Sequence, residues 1–176
     1  MAKRVLLVLI FIMAMLSILG CGKEDYNAYV VPSGWKSVPI IAGETGQSVG
    51  QAYIGFAVSI TEVRDDKAYF YMNISDPSVP HITQSMEFYI PIKYMKKAFV
   101  EPQAVPAIIS LDTIRINPMA GISLFRNGKQ QVIARFAEEI GPIQFIQNVE
   151  NGYLFVLGMN LVYVDQQDVR LIKYND

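Results

Sequence analysis

Cysteine, histidine and tryptophan each occur once in the 176 residues, as Cys21, His81 and Trp35. A lone cysteine excludes an internal disulfide and a cysteine-based metal cage. A lone histidine leaves no histidine cluster to hold a transition metal. Charge is scarce as well, with 15 Lys and Arg against 16 Asp and Glu and a formal net charge of −1. Without a basic excess, non-specific nucleic-acid binding is not expected. Only one long apolar run is present, Val5 to Leu19, broken by Ser17, so a multispan membrane protein is excluded. A long amphipathic helix is also missing. Ala134 to Glu139 is the best short helical stretch, and a strand end followed by a loop explains it equally well. What is present is apolar and aromatic: 52% of the residues are hydrophobic and 11% are Phe, Trp or Tyr. That content is too high for a disordered chain.

The first twenty-one residues read as a secretory signal. Lys3 and Arg4 open it, the apolar run follows, and Gly20 stands before Cys21. The run is shorter than the ~20 residues that a spanning helix needs. Its ending, Ile18-Leu19-Gly20-Cys21, resembles the lipobox of bacterial lipoproteins, in which a cysteine becomes the new first residue. The resemblance implies thioether attachment of diacylglycerol to Cys21, followed by N-acylation with a fatty chain such as palmitate. Each buried methylene contributes about 0.8 kcal/mol, so two or three such chains would hold a protein firmly to a bilayer. Gly22, where an Asp tends to retain a lipoprotein in the inner membrane, implies an outer-membrane anchor facing the periplasm, or the cell surface. Residues 1–20 are thus expected to be the signal peptide. Residues 21–34, polar and tyrosine-containing up to about Ser33, are expected to be a lipidated, flexible tether.

From Trp35 onward the chain is expected to be all-β. Val, Ile, Tyr and Phe fill short runs, and Gly, Pro, Asn and Asp separate them. The runs repeat. Ile54-Gly55-Phe56-Ala57-Val58-Ser59-Ile60-Thr61-Glu62-Val63 matches Ile140-Gly141-Pro142-Ile143-Gln144-Phe145-Ile146-Gln147-Asn148-Val149. A polar turn follows each, then an aromatic strand (Ala68 to Met72, Tyr153 to Leu157) and a further strand (Phe88 to Ile90, Val162 to Val164). Both copies close on an apolar-basic pair, Met95-Lys96 and Val169-Arg170. In the second copy Asn127-Gly128 separates Ile122–Arg126 from Lys129–Phe136, a strong hairpin signal because both turn residues must reach positive φ. Asp165 to Asp168 reads as a single 3₁₀ turn before a last strand.

Five or so short strands with a late 3₁₀ turn is the SH3 layout. The segment Gly152-Tyr153-Leu154-Phe155-Val156, Tyr163-Val164, Val169-Arg170-Leu171 resembles bacterial SH3-like (SH3b) domains, with Tyr153 where tryptophan is usual. Two small SH3-like barrels in tandem are therefore expected, residues 35–100 and 121–176, joined by a linker at 101–120. Short alternating strands bury a core only when their sheet curls over and covers its edges. A unit of roughly 60 residues is marginal by itself. The apolar stretch from Ala107 to Ile116 in the linker suggests that the halves touch.

Chemistry is thinly represented, and an enzyme is not expected. His81, with Asp76 and Ser85, formally offers a Ser/His/Asp set, but it lies in a proline-bearing loop and not on a rigid scaffold. Asp65-Asp66 and Glu138-Glu139 lack the alternating calcium-loop pattern. Gly43 to Gly50 is glycine-rich but has no Gly-Lys-Ser/Thr ending, so no phosphate loop is expected. No cofactor or metal is implied.

Binding has better candidates. The link from Asn73 to Ser85 is far longer than its counterpart, Gly158 to Asn160, and long loops on small scaffolds often carry recognition. Tyr69, Tyr71, Tyr89 and Tyr94 gather in the first copy with Lys93, Lys96 and Lys97. Tyr69 and Tyr71 should share one strand face and Phe70 the other. Such a face could be an aromatic groove for an extended peptide or, more blandly, barrel filling. The candidate binding set is therefore Tyr69, Tyr71, His81, Tyr89, Lys93, Tyr94 and Lys96, beside the lipidation site Cys21. The expected function is a membrane-anchored envelope lipoprotein that binds peptidoglycan or an envelope protein, with membrane lipid as its other partner. The alternative is a structural subunit of a secretion, conjugation or surface complex.

Overall fold

The computed structural model describes residues 26–73, 85–101, 110–126 and 129–174. The signal segment, Cys21, Asn127-Gly128, and most of the long loop, including Asp76 and His81, lie outside the described residues. Within them the chain is all-β, and its only helical elements are two single 3₁₀ turns.

The same succession of elements occurs twice. The first half runs β1 (Ala28–Val30), β2 (Val38–Ala42), β3 (Ser48–Ala52), β4 (Ala57–Val58), β5 (Glu62–Arg64), β6 (Lys67–Asn73), β7 (Ser85–Pro91), a 3₁₀ turn (Ile92–Tyr94) and β8 (Lys96–Ala98). The second runs β9 (Thr113–Ile116), β10 (Ile122–Arg126), β11 (Lys129–Phe136), β12 (Ile140–Gln144), β13 (Gln147–Val149), β14 (Gly152–Leu157), β15 (Asn160–Asp165), a 3₁₀ turn (Gln166–Asp168) and β16 (Val169–Ile172). Each half has a three-stranded sheet, ordered β4-β1-β8 and β12-β9-β16. The other strands form one ten-stranded sheet, β13-β14-β15-β10-β11-β3-β2-β7-β6-β5. Replacing every strand of that sheet by its counterpart reverses the order, so the two halves are related by a pseudo-twofold axis at the β3–β11 contact. Each half is barrel-like, two sheets wrapped on a shared interior, and no ladder among the described residues closes it completely.

The central contact is short and tight. Ala52 faces Ala134, Gln51 faces Arg135, and Gly50 faces Phe136. Matching hydrogen bonds flank it: the Tyr53 amide donates to Ile133 O and the Ala137 amide to Val49 O, both at 2.8 Å. Gly50 permits the approach, since a Cβ there would lie 2.5 Å from the Arg135 carbonyl oxygen. Behind the junction the apolar faces merge into a single core. Phe56, Phe70 and Ile90 of the first half and Ile114, Ile122, Ile133 and Phe155 of the second are fully buried within it. Strand alternation produces this: Ala68, Phe70 and Met72 of β6 turn inward, as do Tyr153, Phe155 and Leu157 of β14.

A second tie crosses between the halves. β14 and β15 pair up to Leu157 opposite Asn160, leaving a two-residue turn with Gly158 at φ +60°. The buried Asn160 side-chain amide donates to Ala57 O at 2.8 Å and to Leu157 O at 3.0 Å. The Met159 amide adds a bond to Ala57 O at 3.1 Å.

Two expected boundaries move. The tether expected over 21–34 contains β1, whose Ala28 is fully buried and which pairs with both β4 and β8. Asn27 secures the entry, its side chain donating to Val100 O and accepting from the Val100 amide, each at 2.8 Å. The linker expected over 101–120 contains β9, the matching strand of the second half. Both strands are short, and their pairing partners are distant in sequence, so local pattern alone does not mark them. The ladders on either side of Asn127-Gly128 have the expected hairpin register, ending at Arg126 opposite Lys129. The stretch from Ala134 to Glu139 is the end of β11 and the loop after it.

Replacing Asn160 by Ala removes the donor that Ala57 O and Leu157 O share. This variant is expected to lose roughly 1–3 kcal/mol of stability in urea unfolding. Because the core is continuous, both proteins should unfold in one transition, with tyrosine and backbone signals coinciding.

Candidate functional site

The outer face of β5, β6 and β7 carries the aromatic cluster of the first half. Tyr69 stands opposite Tyr89 in the ladder, with ring centroids 5.3 Å apart. Two cations from one turn cover the rings. Asp65 and Asp66 both take positive φ and reverse the chain so that Arg64 stands opposite Lys67. The Arg64 guanidinium then lies 4.4 Å from the Tyr69 ring centroid, and Lys67 Nζ lies 5.0 Å from that of Tyr89. Such contacts contribute on the order of 0.5–1 kcal/mol each at exposed sites. The Tyr69 side chain, with Glu62 next, holds the Arg64 pKa above its usual value. Tyr71, also on this face, donates to Glu87 Oε1 at 3.1 Å, and that carboxylate raises the phenol's pKa. Tyr69 and Tyr89 are left almost wholly covered, at 5% and 9% exposure. The first-half face is thus filled by its own side chains.

The expected set of binding residues falls into two places. Tyr69, Tyr71 and Tyr89 share the face just described. Tyr94 and Lys93 lie in the 3₁₀ turn, where Tyr94 meets Trp35 edge-on at 4.7 Å and Lys93 Nζ stands 4.9 Å from its ring centroid. Lys96 is on β8, an outer strand of its sheet, opposite Val30. A single groove combining all of them is therefore not formed. His81 and Cys21 lie outside the described residues. Among the described residues, no group of three or more His, Cys, Asp or Glu is placed to hold a metal ion.

The counterpart face of the second half is open. The ladder positions equivalent to Arg64, Lys67, Tyr69 and Glu87 hold Val149, Gly152, Leu154 and Leu161. Tyr163 keeps the place of Tyr89, opposite Leu154. Two long cations and two rings are missing, Val156 standing in the place of Tyr71, and a groove of about 620 Å³ lies on this face. Val149, Leu154 and Leu161 give it apolar walls, and Gln130, Glu150 and Asp165 give it a polar rim. A polar depression bounded by Asn151, Asp165, Gln166 and Gln167 continues from it.

Tyr163 lines the floor and packs on Gly152. A Cβ on Gly152 would lie 2.4 Å from Tyr163 Cε2 and 2.3 Å from Val164 O, so the ring packs directly on bare backbone. The Tyr163 hydroxyl lies 2.8 Å from Asn151 O and 2.9 Å from Asp165 Oδ1, and its one proton serves both acceptors. Burial, then the hydrogen bond to Asp165, push its pKa up to about 12. No protein-family model matches the chain, and no curated protein or solved structure matches it. The groove is accordingly read from its own geometry.

Sequence reasoning passed over Tyr163, Leu154 and Leu161 as strand residues. A signal was present in the two turns, since the second lacks the cations of the first, but the sequence repeat pairs Val63 with Val149, and the ladders shift this by one residue to put Val149 in the place of Arg64 and Gly152 in that of Lys67. Only the register shows that those positions flank the same tyrosine.

Tyr163 yields a pH prediction. A phenol whose pKa is raised by folding favours the native state while protonated. Its contribution is present below the ordinary tyrosine value near 10 and is lost as pH rises toward about 12. Ultraviolet titration should show one phenol ionising last, and Tyr163→Phe should remove that component and flatten the stability loss in this window. Gly152→Ala should destabilise the fold by about 2 kcal/mol or more in urea unfolding, because Tyr163 must leave its seat.

Proposed function

We propose that the chain is a membrane-anchored envelope lipoprotein whose second half is a binding module for peptidoglycan or an envelope protein. The observation that carries this reading is the groove walled by Val149, Leu154 and Leu161 beside the buried Tyr163, on a scaffold whose matching positions are filled by Arg64, Tyr69 and Glu87. A duplicated fold that fills one copy of a surface and leaves the other open has one face free to recognise something else.

The anchor reading draws on the lipobox-like ending at Cys21 and on chain length. The first described residue, Tyr26, is only five positions further on. At no more than ~3.6 Å per residue, the connection reaches about 18 Å at full extension. With β1 already part of the sheet, the fold would rest close to the bilayer. The residues nearest that end suit an interface. Tyr26 and Phe99 are exposed large apolar residues, and Lys97 Nζ stands 4.3 Å from the Tyr26 ring centroid. Aromatic and lysine side chains favour the boundary between lipid and water.

Fractionation of cells producing the full chain should place the wild type in the membrane pellet, and mass spectrometry should find the mature N-terminus acylated at Cys21. Cys21→Ser should move to the soluble fraction. A wild type that is soluble and unacylated would refute the anchor. The binding half of the reading is checked by co-sedimentation with isolated sacculi and by cross-linking in whole cells. Pelleting with sacculi supports the wall ligand, and a defined heteromeric cross-link supports the protein ligand. Cross-links only between copies of the chain would favour the assembly-subunit alternative.

A further inference from the structure

The first half shows what the outer tyrosine face accepts. Its two rings are covered by a guanidinium and an ammonium on alkyl stems, and both come from the chain itself. In the second half the corresponding ladder positions are Val149 and Gly152, so neither cation is supplied. The groove is negative: Glu150, in the place of Asp65, and Asp165, in the place of Pro91, line it, and no Lys or Arg is among the described residues lining it. Its walls are Val149, Leu154 and Leu161, which suit the hydrocarbon stem of a long basic side chain. The Tyr163 hydroxyl holds one oxygen of Asp165 beside the groove.

We propose that the Tyr163 groove seats a lysine or arginine side chain from an extended segment of a protein partner, supplied from outside in place of the cations that the first half supplies for itself. The stem lies along Leu154 and Leu161, and the charged end meets Asp165 and Glu150. A charge-assisted hydrogen bond in a partly sheltered site is stronger than the same contact in open water. A polypeptide is favoured over other amine carriers because the occupants of the matching face are polypeptide side chains of this kind. The inference rests on reading the groove as a binding site, and it narrows the partner to a protein.

The test uses the mature full chain in detergent and a fluorescent peptide, Gly-Val-Lys-Val-Gly with blocked ends, followed by anisotropy. A second peptide carries norleucine, which has the same stem without the charge. The expected result is saturable binding of the lysine peptide at millimolar concentration or below, with the norleucine peptide at least ten-fold weaker, and weakening with added salt. Val149→Arg, which restores the first-half cation, should reduce lysine-peptide binding at least ten-fold. Glu150→Gln, an exposed turn substitution, should weaken it several-fold and serves if Val149→Arg disturbs folding, as judged by circular dichroism. Equal binding of the two peptides, no binding of either, or lysine binding indifferent to Glu150→Gln in a folded protein would each overturn the inference. Should the peptide test fail, sedimentation with sacculi or a heteromeric cross-link by the same protein would leave the envelope-binding reading intact. Loss of membrane anchoring and of all envelope binding would remove that wider reading whatever the peptide does.

Discussion

The structure depends on the contact between β3 and β11. Each half alone is a set of short strands in two small sheets, with too little interior to bury a core of its own. Pairing Gly50, Gln51 and Ala52 with Phe136, Arg135 and Ala134 turns two five-stranded sheets into one of ten. It also removes two sheet edges, which would otherwise present unpaired amides and carbonyls to other chains. Phe56 and Phe70 then pack in the same cluster as Ile133 and Phe155, and each half completes the other's core. The glycine at position 50 is part of this, because no larger residue allows the backbones so close.

Duplication has a second consequence. Two copies of a fold held by a pseudo-twofold axis are free to differ wherever the core and the junction are not involved. The inward faces of β6 and β14 have stayed alike, with Phe70 and Phe155 both fully buried at equivalent places. The outward faces have parted. One has Arg64, Lys67 and Tyr69 covering Tyr89, and the other has Val149, Gly152 and Leu154 around Tyr163. Replacing Lys67 by its counterpart Gly152 does more than open space. It lets the Tyr163 ring settle on the backbone and share its hydroxyl proton with Asn151 and Asp165, so the floor of the groove is held in place by its own packing and hydrogen bonds. Binding to a preformed surface avoids the cost of ordering one.

The same logic applies at the start of the described chain. β1 looks like tether in the sequence, since Ala28, Tyr29 and Val30 are few and stand among polar residues. It is held by partners more than twenty-five positions away, β4 on one side and β8 on the other. The Asn27 side chain, bonded both ways to the Val100 backbone, fixes where the fold begins. A short lead and a rim of exposed aromatic and lysine side chains follow from that placement.

The amino-acid sequence alone determined the all-β character, the duplication, the hairpin at Ile122–Phe136 and the late 3₁₀ turn, because these follow from local alternation, turn chemistry and recurring order. It also determined that Tyr69 and Tyr71 share one face of β6 and Phe70 the other, as the period of two requires, while the structure made Phe70's face the core. Only the tertiary structure decided that the halves share one sheet and one core, because β3 and β11 meet across more than eighty residues with no local signal. It decided as well that the conspicuous tyrosines of the first half are a closed face and the plainer residues of the second an open one. The physical reason is register. Whether a groove is left beside a ring depends on the residue opposite it and on what the next turn carries, and neither is a neighbour along the chain.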